Sequence, residues 1–562
     1  MRHRFLRAWL LATLFSVFSF AVTWAQAPAW QSAVSIPVSA SREAYILSAV
    51  VDAGGNVYVA GAFYGTAAFG SINLTSAGGE DGFVAKWSPA ANDFVWAQRI
   101  GGANDERAYA VAVGSVGVYV TGYFRSQPAA FGALSLTSAG VEDLFIAKLT
   151  DTGTSASFTW AQRVGGSQFE GGRALAVSGT SVYVGGYYSD ATFGATVLPT
   201  GSPANLFVAK LVDAGPAASF VWAKGAGGFT GYNAVNALAV SGNNVYLSGF
   251  FSGTATFGAA TLTSAGSYDA VVAKLADAGA TADFVWAQRA GGSGADQARA
   301  VAVSGSNVYM AGDFTGSAAS FGAATLASAG LNDAFVSKLT DAGATAGFGW
   351  SQRFGGTGED EANGLVAAGA QVCAVGEFRS PSLAFGQTTL SNAGGYDIFA
   401  AKLTDAGAAP VLAWAQRAGG VNSDFGYSAA LGAGGQVYFG GLVQPPGGFG
   451  IIPVAGLPGS TVGTFAVLTD ATLTATAPAL TVASLALFPN PAHGRATVQL
   501  PALPGTPTAT LTVLDALGRT LRTQTAAANS KAALDLTGLA PGLYAVRVTA
   551  GATTATHRLV VE

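Results

Sequence analysis

A unit of 61 to 65 residues occurs seven times along this chain, and this repeat constrains the fold more than any other feature of the sequence. A Phe-Gly pair occurs in every unit, and a Val-Tyr pair occurs in six of them, with Cys373 in place of the tyrosine in the sixth. The Phe-Gly pairs begin at Phe69, Phe131, Phe193, Phe257, Phe321, Phe385 and Phe449. Such regularity is typical of folds in which each unit is one supersecondary structure.

Each unit contains four short runs with the residue pattern of β-strands. In the fifth unit the runs are Ala300–Val303, Asn307–Phe314, Ala334–Leu339 and Phe348–Arg353, with a longer connection through Phe321-Gly322 between the second and third. Four strands per unit, at a period above 40 residues, is the pattern of a propeller blade. We therefore predict an all-β fold, a seven-bladed β-propeller of four-stranded blades, with an open β-solenoid or stacked sheets as the alternative.

The two ends of the array differ from its middle in a complementary way. A Trp-Ala-Gln, Trp-Ala-Lys or Trp-Ser-Gln run ends the first six units but not the seventh, and Trp30-Gln31 stands alone before the first unit. In a ring, a strand near residues 29–37 would complete the last blade, whereas an open solenoid needs capping units. The pattern favours a closed ring over residues 28–470. Each recurring Trp can bury about 150–250 Å² and is expected to pack between blades.

The first 27 residues have the pattern of an export signal. Three arginines precede an apolar run over residues 8–22, and Ala25 and Ala27 offer cleavage points. A membrane anchor, the alternative, needs about 20 apolar residues, so we predict cleavage and no membrane span in the mature chain. Removal leaves 24 basic and 31 acidic side chains, a balance that disfavours nucleic acid as a partner. The single Cys373 cannot form an internal disulfide and is expected to be a packing residue.

The repeat resembles a known family. Gly55-Asn56-Val57-Tyr58-Val59-Ala60-Gly61 and Asp81-Gly82-Phe83-Val84-Ala85-Lys86 are similar to the consensus of the seven-bladed β-propeller (SBBP-type) repeats. The resemblance covers about residues 29–470. It implies the propeller fold and carries no agreed activity.

The C-terminal part of the chain differs from the repeats in composition and strand pattern. Residues 471–484 are rich in Thr, Ala and Pro, which predicts a linker, and residues 485–562 have the strand pattern of a small Ig-like β-sandwich. Its motifs are Phe488-Pro489-Asn490-Pro491, Asp515-Ala516-Leu517-Gly518-Arg519, Leu539-Ala540-Pro541-Gly542-Leu543-Tyr544 and His557-Arg558-Leu559-Val560-Val561.

These motifs resemble the type A C-terminal sorting domain of the type IX secretion system of Bacteroidota. The resemblance implies passage through the periplasm and across the outer membrane by the type IX machinery, followed by surface attachment or release. The residues that carry the sorting motif are Pro489, Asn490, Pro491, Gly518, Arg519, Gly542 and Tyr544. The prolines and glycines also fit a role in turns, which is compatible with sorting.

The distribution of histidine excludes several mechanisms. The three histidines are His3, in the export signal, and His493 and His557, in the C-terminal segment. The repeats therefore hold no Ser-His-Asp triad, no histidine-ligated zinc site and no histidine general base. Chemistry that needs only two carboxylates, as in glycosidases, stays open.

Candidate ligand-binding residues lie in the connections between repeats, which share one face of a propeller. The acids are Asp105, Glu106, Glu170, Asp296, Glu359, Asp360, Glu361 and Asp424. The arginines near them are Arg107, Arg173 and Arg299, and the aromatic candidates are Phe169, Phe229, Tyr232 and Phe425. The alternatives for the acids are a solvated rim of weak ion pairs, a ligand or Ca²⁺ site and catalysis. We expect no cofactor, and Ca²⁺ has little support because no Asp-x-Asp-x-Asp spacing is present.

A second acidic set begins the third strand of most units and consists of Asp81, Asp143, Asp269, Asp333 and Asp397. Because the position is the same in each unit, we predict a structural role, the hydrogen bonding of a turn. The favoured function is that of an exported, non-enzymatic propeller that binds a protein or glycan through its loop-bearing face. A carbohydrate-active enzyme with rim carboxylates and a passive surface protein are the alternatives.

Overall fold

The structure, a computed structural model, consists of antiparallel β-strands and describes residues 27–39, 42–199, 204–227, 231–473, 486–500, 508–515, 519–527, 530–550 and 553–562. Within these ranges the helical structure is one short 3₁₀ turn at Ala433–Gly435. The predicted export signal, apart from Ala27, and most of the predicted linker lie outside the described residues.

Each repeat contributes to one sheet with four main strands. In six sheets all four strands come from one repeat and neighbouring strands follow chain order, whereas the seventh sheet takes its fourth strand from the N-terminus. We number the sheets 1 to 7. The first strands are Ala44–Val51, Glu106–Gly114, Glu170–Ser178, Ala234–Ser241, Gln297–Ser304, Asp360–Ala368 and Phe425–Leu431. The second strands are Val57–Phe63, Gly117–Phe124, Ser181–Tyr188, Asn244–Phe251, Asn307–Phe314, Gln371–Phe378 and Gln436–Val443. The third strands are Asp81–Ser88, Asp143–Asp151, Asn205–Asp213, Asp269–Asp277, Asp333–Asp341, Asp397–Asp405 and Val462–Thr469. The fourth strands are Asp93–Gly102, Ala156–Val164, Ala218–Ala226, Ala282–Gly291, Ala346–Phe354, Pro410–Gly420 and, in sheet 7, Trp30–Ile36.

The second and third strands are buried on both faces. All seven residues of Val57–Phe63 are buried, for example, although a strand with one wet face would alternate. The neighbouring sheets explain this burial, since seven apolar clusters each join residues of two adjacent sheets. The strand runs expected in the fifth unit all fall within observed strands.

The connection through each Phe-Gly pair is a small β-hairpin, which the sequence reading missed. In sheet 5 the strands Ala319–Phe321 and Ala324–Leu326 pair around Gly322, whose φ of 64° favours glycine. The other hairpins are Thr66–Phe69 with Ile72–Thr75, Ala129–Phe131 with Leu134–Leu136, Thr192–Phe193 with Thr196–Val197, Thr254–Phe257 with Ala260–Thr263, Ser382–Phe385 with Thr388–Ser391, and Gly447–Phe449 with Ile452–Pro453. Three hairpins also pair with the fourth strand of the preceding sheet and so cover the outer edge of that sheet.

The first strands of consecutive sheets contact one another from sheet 1 to sheet 7, and the first strand of sheet 7 contacts that of sheet 1. The N-terminal strand Trp30–Ile36 pairs antiparallel with Val462–Thr469, with Val34 opposite Phe465. This is the pairing expected from the incomplete seventh unit.

The register of the N-terminal strand differs from the expected one by two residues. In sheet 1 the recurring Trp96 lies opposite Lys86, but in sheet 7 the corresponding Val467 lies opposite Ser32. Trp30 instead takes the place of the phenylalanine that precedes each recurring Trp. It packs edge-on against Phe449, 5.0 Å between ring centres, as Phe94 packs against Phe69 in sheet 1.

Six of the seven junctions between sheets share one polar contact. An aspartate at or just after the end of the third strand accepts hydrogen bonds from a Lys and a Trp of the preceding sheet, and at five of these junctions also from a Tyr. The exception is Asp470, because Cys373 takes the place of the tyrosine in sheet 6. At the junction of sheets 3 and 4, Asp277 accepts from Tyr183 Oη at 2.6 Å, Lys210 Nζ at 2.6 Å and Trp222 Nε1 at 3.1 Å. The equivalent acceptors are Asp151, Asp213, Asp341, Asp405 and Asp470. We call this set the junction aspartates.

The junction of sheets 7 and 1 is apolar instead. Val467 takes the place of the lysine, and Phe465 packs against Trp87 at 5.5 Å and Phe94 at 6.3 Å between ring centres. No ion pair joins these two sheets in the described part of the chain.

The C-terminal segment forms two further sheets. One contains Ala486–Phe488, Arg495–Gln499 and Lys531–Asp535, and the other contains Thr520–Ala527, Thr508–Leu514, Gly542–Ala550 and Thr553–Val561. A single apolar cluster that includes Val498, Leu511 and Leu534 joins them. In the described ranges, no helix has the length and apolar character needed to cross a bilayer.

Candidate functional site

Most of the acids in the connections between repeats are interior, structural groups. Glu106, Glu170, Asp296, Asp360 and Asp424 all have 0 % exposure, so they do not form the exposed rim that was expected. Both carboxylate oxygens of Asp296 accept backbone N–H groups, from Gly292 at 2.7 Å and Thr315 at 2.9 Å. Each acid thereby ties the glycine-rich turn before its strand to the end of the neighbouring second strand.

Burial shifts the acidity of these carboxyls. It raises the pKa of Glu170 to about 7 and that of Asp296 and Asp424 to about 6, although the backbone N–H groups lower it. In sheet 4 the corresponding residue is uncharged. There Asn233 takes the place of the acid, accepts from Ser252 N at 2.8 Å and donates to Ala204 O at 3.0 Å.

The aspartates that begin the third strands have the turn-binding role expected of them. Asp81 accepts from Ala77 N at 3.0 Å and from Arg99 Nη1 at 2.6 Å. Asp143, Asp269, Asp333 and Asp397 accept the same pair of bonds in their own sheets.

The first strand of every sheet contains a β-bulge at the same place, and a bulge redirects the side chain of the extra residue. The bulged residues are Leu47, Tyr109, Arg173, Asn236, Arg299, Asn363 and Tyr427. They are two tyrosines, two arginines, two asparagines and one leucine, and the residue type differs between neighbouring sheets. Comparison of the repeats seeks what they share and did not single out this position, although Arg173 and Arg299 were predicted as candidates.

Side chains from neighbouring bulges contact one another. Arg173 Nη1 donates to Asn236 Oδ1 at 3.0 Å, and its guanidinium lies 6.0 Å from the centre of the Tyr109 ring. We call the bulged residues and the charged groups that contact them the central cluster.

One part of the central cluster, in sheets 2 and 3, is basic. Arg107 forms a double contact with Glu80, from Nε at 3.1 Å and Nη2 at 2.7 Å, and also donates to Tyr45 Oη at 2.9 Å. Arg173 has no carboxylate partner among the described residues. Its Nε is buried and has no hydrogen-bond partner there.

The part of the central cluster in sheets 5 and 6 is acidic. Arg299 contacts Asp313 at 2.6 Å and Glu361 at 2.8 Å. Asn363 Nδ2 donates to Glu377 Oε2 at 2.6 Å. The carboxyls of Asp313, Glu361 and Glu377 all act on the charge of the Arg299 guanidinium. Burial raises the pKa of Glu377 well above its usual range, and the neighbouring Glu361 raises it further.

A cavity of about 220 Å³ opens between sheets 3 and 4. Its lining residues are Glu142, Phe169, Arg173, Tyr187, Ala204, Tyr232, Asn233, Ala234 and Phe250. Parallel bridges from Glu142 to Phe169 and from Ala204 to Tyr232 hold the two connections beside the third strands. Tyr232 is 63 % exposed and Phe169 is 38 % exposed, so both rings present apolar surface to solvent at the opening.

The cavity brings together three of the predicted ligand-binding residues, while Arg299 and Glu361 contact each other in the acidic part of the central cluster. Phe169, Arg173 and Tyr232 line the cavity, and Glu142, Tyr187 and Phe250 join them without having been predicted. Phe229 lies outside the described residues. Asp105 is only partly exposed, contacts Arg125 at 3.4 Å and does not line the cavity. In the described ranges, no three acidic, histidine or cysteine side chains converge to hold a metal ion.

Several sorting-motif residues form hydrogen bonds within the C-terminal segment. Asn490 donates to Arg558 O and accepts from Val560 N, both at 2.8 Å, which joins the first motif to the last strand. Arg519 Nε contacts Asp515 at 2.7 Å, and Tyr544 Oη donates to Ala540 O at 2.8 Å. Gly518 lies outside the described residues, while Pro489, Pro491 and Gly542 lie within them.

Comparison with known proteins identifies this C-terminal segment. Residues 486–562 match the family described as "Secretion system C-terminal sorting domain". The segment is therefore a sorting domain of the type IX system, as its motifs predicted, and it marks the chain for handling by that machinery and for export to the cell surface or beyond.

The repeats are less similar to known proteins than the C-terminal segment is. No curated protein matches the chain. Among solved structures, a protein from Bacteroides uniformis that is provisionally named a 6-phosphogluconolactonase is similar at 11 % sequence identity and a TM-score of 0.29. The similarity covers 64 % of this chain and 98 % of that one. At this TM-score the similarity carries no argument about activity.

Proposed function

We propose that sheets 1 to 7 are the blades of one closed seven-bladed propeller of the SBBP type, over residues 28–470. The contact between the first strands of sheets 7 and 1 supports closure, as does the pairing of Trp30–Ile36 with Val462–Thr469. The proposal includes an export signal over residues 1–27, a linker over residues 471–484 and an Ig-like sandwich over residues 485–562. The protein would leave a Bacteroidota-like cell through the periplasm and remain on its surface or be released.

The function that the geometry supports best is non-enzymatic binding of a ligand at the face that carries the connections between sheets. The cavity between sheets 3 and 4 is the observation that carries this proposal. It combines two exposed aromatic rings, Phe169 and Tyr232, with Arg173, which forms no ion pair with a carboxylate among the described residues. Concave sites that mix aromatic walls with a few polar groups are typical of ligand binding.

A carbohydrate-active enzyme with rim carboxylates has less support. Asp296 and Asp424 are buried, and each oxygen of either carboxylate accepts a backbone hydrogen bond. A general acid or base must reach the proton it transfers, which this burial prevents. A passive surface role gives no reason for two exposed aromatic rings beside an arginine that has no carboxylate partner in the described ranges.

The test is binding by the full exported chain to a glycan array and to proteins of the cell surface. We expect a Phe169→Ala/Tyr232→Ala variant to bind its ligand at least tenfold more weakly. Leu331→Ala is the matched control, because Leu331 is 62 % exposed and precedes a third strand of another sheet. Equal loss in the control, or no binding by the wild type, would contradict the proposal. Turnover of a polysaccharide by the wild type would favour the enzyme instead.

A further inference from the structure

We propose that the cavity between sheets 3 and 4 binds one carboxylate-bearing sugar ring, such as a hexuronic acid at the end or branch of an acidic glycan. This inference rests on the binding function proposed above and names its ligand class. Three properties of the cavity lead to it: its size, its uncompensated charge and the position of its aromatic rings.

The size of the cavity limits the ligand to about one ring. Pockets that enclose drug-sized molecules measure roughly 300–1,000 Å³. The cavity here is smaller, at about 220 Å³, and opens to solvent. A single pyranose ring with the rest of its chain outside the opening suits these dimensions.

The positive charge of Arg173 favours an anionic ligand in the cavity. Each of the other two arginines of the central cluster lies against carboxylates, Arg107 at Glu80 and Arg299 at Asp313 and Glu361. Arg173 has only the amide oxygen of Asn236 as a hydrogen-bond partner in the described ranges, and its charge lies over the Tyr187 ring, 5.2 Å from the ring centre.

The one acid that lines the cavity does not neutralise Arg173. Glu142 is 6 % exposed and accepts hydrogen bonds from Arg125 Nη2 at 3.1 Å and Tyr187 Oη at 2.5 Å. Glu142 is therefore paired with Arg125, which also contacts Asp105 at 3.4 Å. A partly buried guanidinium with unused N–H groups pairs well with a carboxylate, which can accept two of them.

The aromatic rings favour a sugar over an acidic peptide side chain. Phe169 and Tyr232 lie at the opening, where they can stack on the C–H face of a pyranose ring while its carboxylate reaches Arg173. An aspartate or glutamate side chain offers the carboxylate but little apolar surface for two rings. A hexuronic acid offers both in one rigid unit.

The experiment measures dissociation constants of the full chain by titration calorimetry with four probes. The probes are an oligosaccharide of hexuronic acid, its neutral hexose counterpart of the same length and linkage, the methyl ester of the uronic oligosaccharide, and an acidic peptide. We expect the uronic oligosaccharide to bind at least tenfold more tightly than the other three.

Three variants separate the contributions. Arg173→Gln should weaken the uronic oligosaccharide about tenfold and leave the neutral one unchanged, whereas Tyr232→Ala should weaken both. Arg379→Gln is the control, because Arg379 follows a second strand of sheet 6, its side chain is 57 % exposed, and its loss removes the same charge. Equal loss in Arg379→Gln would reveal nonspecific attraction and overturn the assignment.

The outcomes also separate the two proposals. If the neutral sugar or the peptide binds as tightly as the uronic oligosaccharide and Tyr232→Ala abolishes that binding, the ligand class is wrong but the binding face stands. If neither these probes nor any member of the glycan and protein panels binds, the proposed function itself fails. Correct folding of each variant is checked by an unchanged melting temperature.

Discussion

Replacing one junction aspartate by alanine tests how the sheets are held together. Asp277 receives three side-chain hydrogen bonds from sheet 3, and its ion pair with Lys210 is almost dry, with 7 % exposure for the lysine side chain and 6 % for the aspartate. Asp277→Ala leaves the Lys210 ammonium buried without a counter-charge. Breaking a buried pair in this way costs about 3–5 kcal/mol.

The matched control is Asp283→Ala. Asp283 pairs with Lys224 at 3.1 Å at the same junction, but its side chain is 85 % exposed. An exposed pair contributes about 0–1 kcal/mol, so the control should hardly change the free energy of unfolding. Urea denaturation of the full chain, followed by tryptophan fluorescence, measures both variants.

A second variant identifies the cause of the loss. If the cost arises from the unpaired ammonium, Lys210→Met in the Asp277→Ala background should restore part of the stability, since it removes the buried charge. The reasoning is refuted if Asp277→Ala costs no more than Asp283→Ala, or if the double variant is no more stable than Asp277→Ala alone.

Three other outcomes follow from the structure. Burial would raise the pKa of Asp405 and Asp470, but hydrogen bonds from Lys338 and Lys402 lower it to about 2, below the value of about 3.9 in an unfolded chain. Their stabilisation should be complete above pH 4 and disappear as the pH falls through 2, and a melting temperature that stays constant in an acid series would argue against this. Trp30→Ala should destabilise the protein by about 3–5 kcal/mol, because the buried indole packs on Phe439 and Phe449; a loss below about 1 kcal/mol in urea would contradict it. Deletion of residues 486–562 should leave the protein in the periplasm, and cell fractionation that finds it outside would count against sorting by this domain.

The repeated features of the fold were readable from the sequence because periodicity reports what every unit needs. The strand runs, the turn-binding aspartates such as Asp81 and the N-terminal strand were all predicted from recurrence. The register of that strand was not, since only the pairing of Ser32 with Val467 shows that Trp30 occupies the position of a phenylalanine.

The candidate site was predicted only in part, and for a physical reason. Phe169, Arg173 and Tyr232 were found because they are unusual residue types in connections between repeats. Glu142, Tyr187 and Phe250 reach the same cavity from positions that look like ordinary strand residues and strand ends. The depth of an acid is also invisible in the sequence, which is why Asp296 was expected at the surface and is buried.

The junction of sheets 7 and 1 lacks a junction aspartate and so differs chemically from the other six junctions. Acid protonates the aspartates of these six junctions and so breaks their ion pairs, but it does not affect the contacts of Phe465 with Trp87 and Phe94. Cooling and dilute urea weaken apolar burial, which contributes to all seven junctions. The junction of sheets 7 and 1 should therefore be the last of the seven to loosen in acid.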